Sequence, residues 1–241
     1  MRRSFHIALG GLFGVLCVGS LSAQDASDSA TYLSLIATPP GALTSTFDVA
    51  ITDDTTRHVG FYGRYGIQSL DTHEYTHNFG VSVDFPVGPA RIGATLGYHW
   101  PNCTDGLCEP HVMGGINYGQ NIVSVLLGKD PSSASFNVGI EVQTGFAFPR
   151  DTAMVSGLAS VPVALVHHGT GLQVVPYIAP GLGVGLIRST ITGTEAGLLL
   201  AFNGGVGLVR VGSFALDASV GRIFLKDGNW IAGLGASIQA H

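Results

Sequence analysis

From about Leu43 onward, apolar side chains recur at every second position, which is the period of a β-strand and not of a helix. The clearest run is 136–148, where Phe, Val and Ile alternate with Asn, Gly, Glu and Gln. Residues 79–85, 92–100 and 230–238 repeat the pattern. Each strand therefore has one apolar, aromatic face and one face of glycine and small polar groups. The pattern predicts an all-β chain.

Twelve segments fit this description, and most reach the roughly 9–11 residues that a tilted strand needs to cross the hydrocarbon layer of a bilayer. Turn-forming residues separate them, as at Gly88-Pro89 and Asp227-Gly228. Ten strands fit almost as well as twelve, because boundaries rich in glycine are easily misplaced, and bacterial single-chain barrels have an even number. The segments are 43–52, 56–67, 74–86, 90–99, 110–118, 121–128, 134–148, 152–167, 172–187, 196–210, 213–224 and 229–239.

The composition indicates the environment of these strands. Charged residues make up 11% of the chain, the hydrophobic fraction is 46%, and 35 of the 241 residues are glycine. Disordered chains carry much more charge, and a collagen would show glycine at every third position. In lipid every backbone polar group must be paired within the protein, so strands cross a bilayer only as a closed sheet. We therefore predict a transmembrane antiparallel up-and-down β-barrel of about 10–12 strands.

The N-terminus predicts how the chain reaches the membrane. Arg2 and Arg3 precede a short apolar run over 7–19, and small residues follow near Ala23, as in a cleaved secretory signal peptide. We predict a signal peptide over 1–23, an N-terminal lead-in over 24–42 and the barrel over 43–241. The 16 acidic residues outnumber the 11 basic ones, so no basic surface for nucleic acid is expected.

Glycine-rich alternating strands behind a signal peptide, with segments such as Pro176–Gly185, resemble the outer-membrane β-barrel proteins of the OmpA/opacity type. The resemblance covers nearly all of the mature chain and implies a location in the outer membrane of a Gram-negative bacterium. It implies outer-membrane lipids and the barrel-assembly machinery as partners. One departure concerns the C-terminus, because such barrels usually end on an aromatic residue and this chain ends Ile238-Gln239-Ala240-His241.

Charged residues on the polar faces are candidates for the barrel interior. Asp84 and Arg91 flank a short turn at positions that we expect to lie opposite each other across a hairpin. Arg64 and Glu141 are two further inward candidates. The simpler interpretation is that the four satisfy one another in the lumen, and a role in transport is the alternative.

Cys103 and Cys108 enclose four residues where the strand pattern lapses. Outside the cytoplasm such a pair is expected to form a disulfide that closes a hairpin loop. The alternative adds His99 and His111 to give a Cys₂His₂ zinc site. Either arrangement is structural.

No motif predicts catalytic, cofactor-binding or metal-binding residues. Residues 73–77 spell H-E-x-x-H, but zinc binding by that motif needs a helix, and this stretch favours an extended chain. The glycines of Gly181–Gly185 lack the third position of a dinucleotide fingerprint and the helix that should follow it. His167-His168 fits a polar loop.

The function stays open at this point. We expect a small barrel, not an enzyme, with a structural, narrow-channel or loop-mediated binding role. The alternatives are an outer-membrane lipid-modifying enzyme and a soluble secreted β-sandwich or lipocalin-like binder. The placement of aromatic residues discriminates against the soluble class, because membrane barrels carry them near strand ends. Here the aromatics near predicted strand ends are Tyr98, Trp100, Phe146, Phe148, Phe214 and Trp230.

Overall fold

The computed structural model describes residues 59–69, 75–102, 110–128, 134–149, 152–167, 173–190, 193–210, 214–223 and 229–240. The predicted signal peptide, the lead-in, the strand predicted over 43–52 and the cysteines at 103 and 108 lie outside these ranges. Among the described residues there is no helix of the length and apolar character that spanning a membrane requires.

All regular structure in the described residues is β-strand. The strands are β1 (Val59–Ser69), β2 (Tyr75–Val87), β3 (Ala90–Asn102), β4 (His111–Leu126), β5 (Ser135–Ala147), β6 (Thr152–Ser160), β7 (Val163–Val166), β8 (Gln173–Ser189), β9 (Gly193–Arg210), β10 (Phe214–Ile223) and β11 (Asn229–Ala240). The prediction of an all-β chain is confirmed.

The sheet closes on itself. Successive strands pair antiparallel, and β1 pairs with β11 from Val59 opposite Ala240 to Gln68 opposite Ile231. β6 and β7 share one position in the barrel, because both pair with β5 on one side and β8 on the other. The molecule is therefore a closed antiparallel barrel of ten strands, within the predicted range.

The break between β6 and β7 falls at Val161-Pro162, where the proline has no N–H to give to a neighbouring strand. The chain nevertheless keeps its hydrogen bonds there. The backbone N–H of Val161 donates to the carbonyl of Pro180 at 2.9 Å, and that of Gly139 donates to the carbonyl of Pro162 at 2.9 Å.

Two predicted strands proved to be one. The segments predicted over 110–118 and 121–128 form the single strand β4, and the separation was wrong. The pairing of β4 with β5 shifts by one residue between Asn121 and Val123. A bulge of this kind inverts the alternation without ending the strand, so the sequence pattern lapses while the pairing continues.

The apolar face of the barrel points outward. Most large apolar side chains on this face are exposed to the surroundings, up to 65% at Phe148. Polar side chains such as Gln68 and Asn137 point inward and are buried. Soluble proteins show the reverse, whereas transmembrane barrels have this division between an apolar outside and a polar inside. A soluble sandwich or a lipocalin-like binder would instead turn most of its large apolar side chains inward.

Exposed aromatic side chains lie near both ends of the barrel. We call the end where β1 begins and β11 ends the terminal end, and the opposite end the distal end. The outward aromatics near the terminal end include Phe61, Phe85, Tyr118, Phe136 and Phe214, and those near the distal end include Tyr75, Phe79, Tyr98, Trp100, Phe146, Phe148 and Trp230. Two such belts, separated by aliphatic residues, match the interfacial girdles of membrane barrels.

Glycine at position 183 permits the close approach of β8 to β6. A Cβ atom placed there would overlap the carbonyl oxygen of Gly157 and lie 3.0 Å from the Cα of Leu158. Both atoms belong to backbone that the sheet holds in place. Gly63, on the outer face of β1, has no atom within 4 Å of the corresponding position.

We expect Gly183→Ala to lower the free energy of unfolding by about 1–3 kcal/mol, because the added methyl overpacks a fixed backbone. The matched change Gly63→Ala should alter it by less than about 0.5 kcal/mol. Urea unfolding of both variants in lipid vesicles measures the difference. Equal stabilities would contradict the close approach of β6 and β8.

Candidate functional site

The four charged residues predicted for the interior all lie on the inner face of the barrel. Asp84 and Glu141 are 1% and 0% exposed, and Arg64 and Arg91 are 6% and 4% exposed. They come from β2, β5, β1 and β3, so four strands supply them. Burial of this degree requires polar partners, because a buried charge without them is very costly.

Asp84 and Arg91 are offset along their hairpin, contrary to the expectation that they face each other directly. Asp84 lies opposite Gly93, and Arg91 lies opposite Pro86. The side chain of Asp84 reaches over Gly93 instead, and Asn117 of β4 donates its Nδ2–H to Asp84 Oδ1 at 3.4 Å. A Cβ atom on Gly93 would overlap this carboxylate oxygen.

The side chain of Arg64 likewise extends across a neighbouring strand to reach its partner. Its Nη2 donates a hydrogen bond to the hydroxyl of Ser219 on β10, although β11 lies between β1 and β10. The residue of β11 opposite Ser219 is Gly233, where a Cβ atom would collide with the guanidinium of Arg64. The sequence did not indicate Ser219, since a serine within a glycine-rich strand carries no signal of its own.

Glu141 is held from the neighbouring strand. Ser160 of β6 lies opposite Glu141 and donates its hydroxyl hydrogen to Oε2 at 3.2 Å. On the other side, Gly119 of β4 lies opposite both Glu141 and Arg91. Between Glu141 on β5 and Arg91 on β3, the intervening strand β4 therefore contributes only Gly119, which has no side chain. Glycines of the inner face are thus the positions over which polar side chains pass from strand to strand.

Two histidines face each other near the distal end. His99 of β3 and His111 of β4 are opposite each other in register, both are buried, and their ring centroids are 4.6 Å apart. The Nδ1–H of His99 donates to Asn78 Oδ1 at 2.7 Å. The structure thus brings together the two histidines of the zinc alternative. The cysteines of that alternative, and of the predicted disulfide, lie outside the described residues.

The other sequence motifs occupy extended chain. Tyr75–His77 open β2, so the described part of the H-E-x-x-H stretch is strand, and His77 shares a hydrogen bond of 2.6 Å with the hydroxyl of Tyr65. Gly181–Gly185 lie within β8. His167 is exposed and forms a single bridge to Val174. Within the described ranges, no group of three or more His, Cys, Asp or Glu side chains could hold a metal ion.

Part of the interior is apolar, which the sequence did not predict. Near the distal end the inward side chains include Met113, Met154 and Leu199, which are 1%, 1% and 0% exposed. A second inward cluster lies nearer the terminal end and consists of Ala164, Val166, Val175, Tyr177 and Ala215. Around Met154 both strand faces carry apolar residues, so alternation cannot assign the inner face there.

No protein-family model matches the chain, and no curated protein matches it significantly. Solved structures do. The N-terminal β-barrel domain of Pseudomonas aeruginosa OprF is 14% identical with a TM-score of 0.34, covering 77% of this chain and 98% of that one. The β domain of the Bordetella autotransporter BrkA is 13% identical with a TM-score of 0.43, covering 75% and 99%. The outer membrane enzyme PagL is 12% identical with a TM-score of 0.39, covering 74% and 98%.

These similarities concern architecture. The chain resembles outer-membrane β-barrels in its fold. Identities of 12–14% do not transfer an activity, a ligand or a partner from any of these proteins to this chain.

We expect Ser160→Ala to lower the free energy of unfolding by about 1.5–3 kcal/mol, because it removes a hydrogen bond to a buried carboxylate. Ser156→Ala is the matched control, since Ser156 is equally buried on the inner face of the same strand. Denaturant unfolding in vesicles should show a clearly smaller loss for the control. Similar losses in the two variants would show that Ser160 does not stabilise Glu141.

Proposed function

We propose that this chain is a small outer-membrane β-barrel with a closed interior, which acts as a structural element and presents its loops at the membrane surface. The observation that carries the proposal is the burial of the inward side chains. Gln68, Glu141 and Leu199, on three different strands, are each 0% exposed, and Met113 is 1% exposed. A water-filled channel would leave such side chains accessible to solvent.

Placement in a membrane is supported by the outer face. The outward apolar side chains form a continuous surface around all ten strand positions, far beyond the patch of a few hundred Å² that a soluble monomer exposes. The aromatic belts near both ends fit the two interfaces of a bilayer. Export through the signal peptide over 1–23 would bring the chain to the outer membrane of a Gram-negative bacterium.

Outer-membrane lipids are the partners that the outer face fits. Small residues, including Gly204, Ala218 and Ala232, leave an apolar groove of about 470 Å³ across β9, β10, β11 and β1, next to Tyr65 and Leu234. Acyl chains fill such a depression without loss of polar contacts. The barrel-assembly machinery is the second proposed partner.

We propose no catalytic role. A lipid hydrolase of the serine type needs a histidine that activates a serine hydroxyl. The hydrogen bonds seen for His77 and His99 go to a tyrosine and an asparagine. A lipid-modifying enzyme remains the second function class, and no described contact favours it.

A charge at the centre of the outer face tests the membrane placement. Leu96 is the middle residue of β3 and is 60% exposed, whereas Val87 ends β2 and is 52% exposed. In a bilayer, Leu96→Arg should cost about 2–4 kcal/mol of unfolding free energy and Val87→Arg only about 0–1 kcal/mol. Denaturant unfolding in vesicles measures both.

The two arginine variants also show whether the outer face of the barrel lies in lipid or in water. If the outer face were in water, an exposed leucine could be replaced by arginine at little cost, and the two variants would be equally stable. Loss of the heat-dependent shift in gel mobility in Leu96→Arg alone would support the depth dependence independently.

The closed interior predicts the absence of permeability. Proteoliposomes that contain the folded chain should not swell in an arabinose gradient, and planar bilayers should show no steady conductance steps. Gel mobility before and after boiling of the protein recovered from the same vesicles verifies that it is folded and inserted. Reproducible conductance steps from the folded protein would overturn the closed barrel in favour of a narrow channel.

A further inference from the structure

The barrel interior holds both methionines that follow the predicted signal peptide. The chain has three methionines, of which one is the initiator, and the others are Met113 and Met154. Each is only 1% exposed. Met113 of β4 and Met154 of β6 lie opposite the same residue, Ala147 of β5. Because alanine has the smallest side chain apart from glycine, the strand between the two methionines contributes only a methyl group at this level.

The two buried histidines occupy the same end of the barrel. His111 is the first residue of β4, and Met113 follows it two positions later on the same inner face. His99 lies opposite His111, with the ring centroids 4.6 Å apart. We call His99, His111, Met113 and Met154 the distal His/Met cluster. All four side chains point inward within a few residues of the distal strand ends.

We propose that the distal His/Met cluster binds a soft monovalent metal ion, Cu(I) or Ag(I). Thioether sulfur is a soft ligand that favours Cu(I), while imidazole suits copper in general. Carboxylates, which hard cations such as Mg²⁺ and Ca²⁺ require, are not members of the cluster. Two imidazoles from β3 and β4 and two thioethers from β4 and β6 thus supply the donor set that a soft ion prefers.

Asn78 acts as a positioning residue for this site. It accepts the Nδ1–H of His99 at 2.7 Å, which places the proton of the neutral ring on Nδ1 and leaves Nε2 able to bind a metal. Histidine ligands commonly donate their second ring N–H to such an acceptor, and loss of the acceptor typically lowers metal affinity by about 10–100-fold.

The competing interpretation is that methionines fill an irregular core and the histidine rings stack on each other. Methionine is well suited to packing, and leucine substitutes for it at similar volume. The two interpretations differ in one measurable respect. Packing needs the volume of the methionine side chains, whereas metal binding needs their sulfur atoms.

The test uses the full mature chain, folded in detergent micelles, with Ag⁺ as a redox-stable probe. Cys103 and Cys108 are replaced by serine, because thiolates also bind soft metals. Calorimetric titration should give one Ag⁺ per chain. Met113→Leu combined with Met154→Leu should weaken binding at least tenfold while the heat-dependent gel shift is retained.

Matched variants separate the roles of the other residues. His111→Gln should also weaken Ag⁺ binding at least tenfold, and Asn78→Leu should weaken it by about 10–100-fold. His77→Gln, on the outer face, should leave the affinity unchanged. Zn²⁺ should bind more weakly than Ag⁺ and should be insensitive to the methionine substitutions.

X-ray absorption of the chain with Cys103→Ser and Cys108→Ser, loaded with Cu(I), gives a measurement that does not depend on the folding of any methionine variant. Sulfur scattering at the metal must then come from methionine, and its presence supports the proposal. A spectrum with nitrogen and oxygen ligands alone would overturn it. Silver binding of unchanged affinity in the double methionine variant would overturn it as well.

Discussion

The requirement that every backbone polar group be paired inside the protein determines the rest of this structure. A flat sheet of ten strands would leave two edges of N–H and C=O groups, each costing several kcal/mol in hydrocarbon. Pairing of β1 with β11 removes both edges. Even at Pro162, where a donor is missing, Val161 and Gly139 maintain hydrogen bonds to the adjoining strands.

Closure at ten strands leaves a narrow interior in which side chains from all strands converge. Glycine, which has no side chain, relieves this crowding in two ways. At Gly183 it lets two backbones approach, and at Gly93 and Gly233 it leaves a path for a polar side chain to reach the second strand along. The contacts of Asp84 with Asn117 and of Arg64 with Ser219 depend on such paths. The high glycine content is therefore part of the polar network of the interior.

The alternation of apolar and polar residues was enough to predict the fold class, the outward aromatics and the inward positions of Arg64, Asp84, Arg91 and Glu141, because a period of two assigns each residue to a face. It was insufficient wherever the period fails. Because of the bulge after Asn121, β4 was predicted as two strands. Because both faces of β6 carry apolar residues, the inward orientation of Met154 was not predicted. Which residues meet across strands depends on register, and no single strand encodes its register. The pairing of His99 with His111, and of Asp84 with Asn117, therefore required the structure.

The seam between β1 and β11 also has a consequence for how the barrel forms. Every other strand pair joins strands that are consecutive in the chain or, at β5–β7 and β6–β8, separated by one short strand, so its formation closes only a short loop and costs little entropy. The seam instead joins the two ends of the barrel chain, as at Val59 and Ala240. Hairpins can therefore form one after another in sequence order. Closure of the seam has the largest entropic cost of all the strand pairings, and this cost is offset only when the two edges pair with each other. Until that last step the growing sheet has two open edges, which is the stage at which it can pair wrongly with another chain.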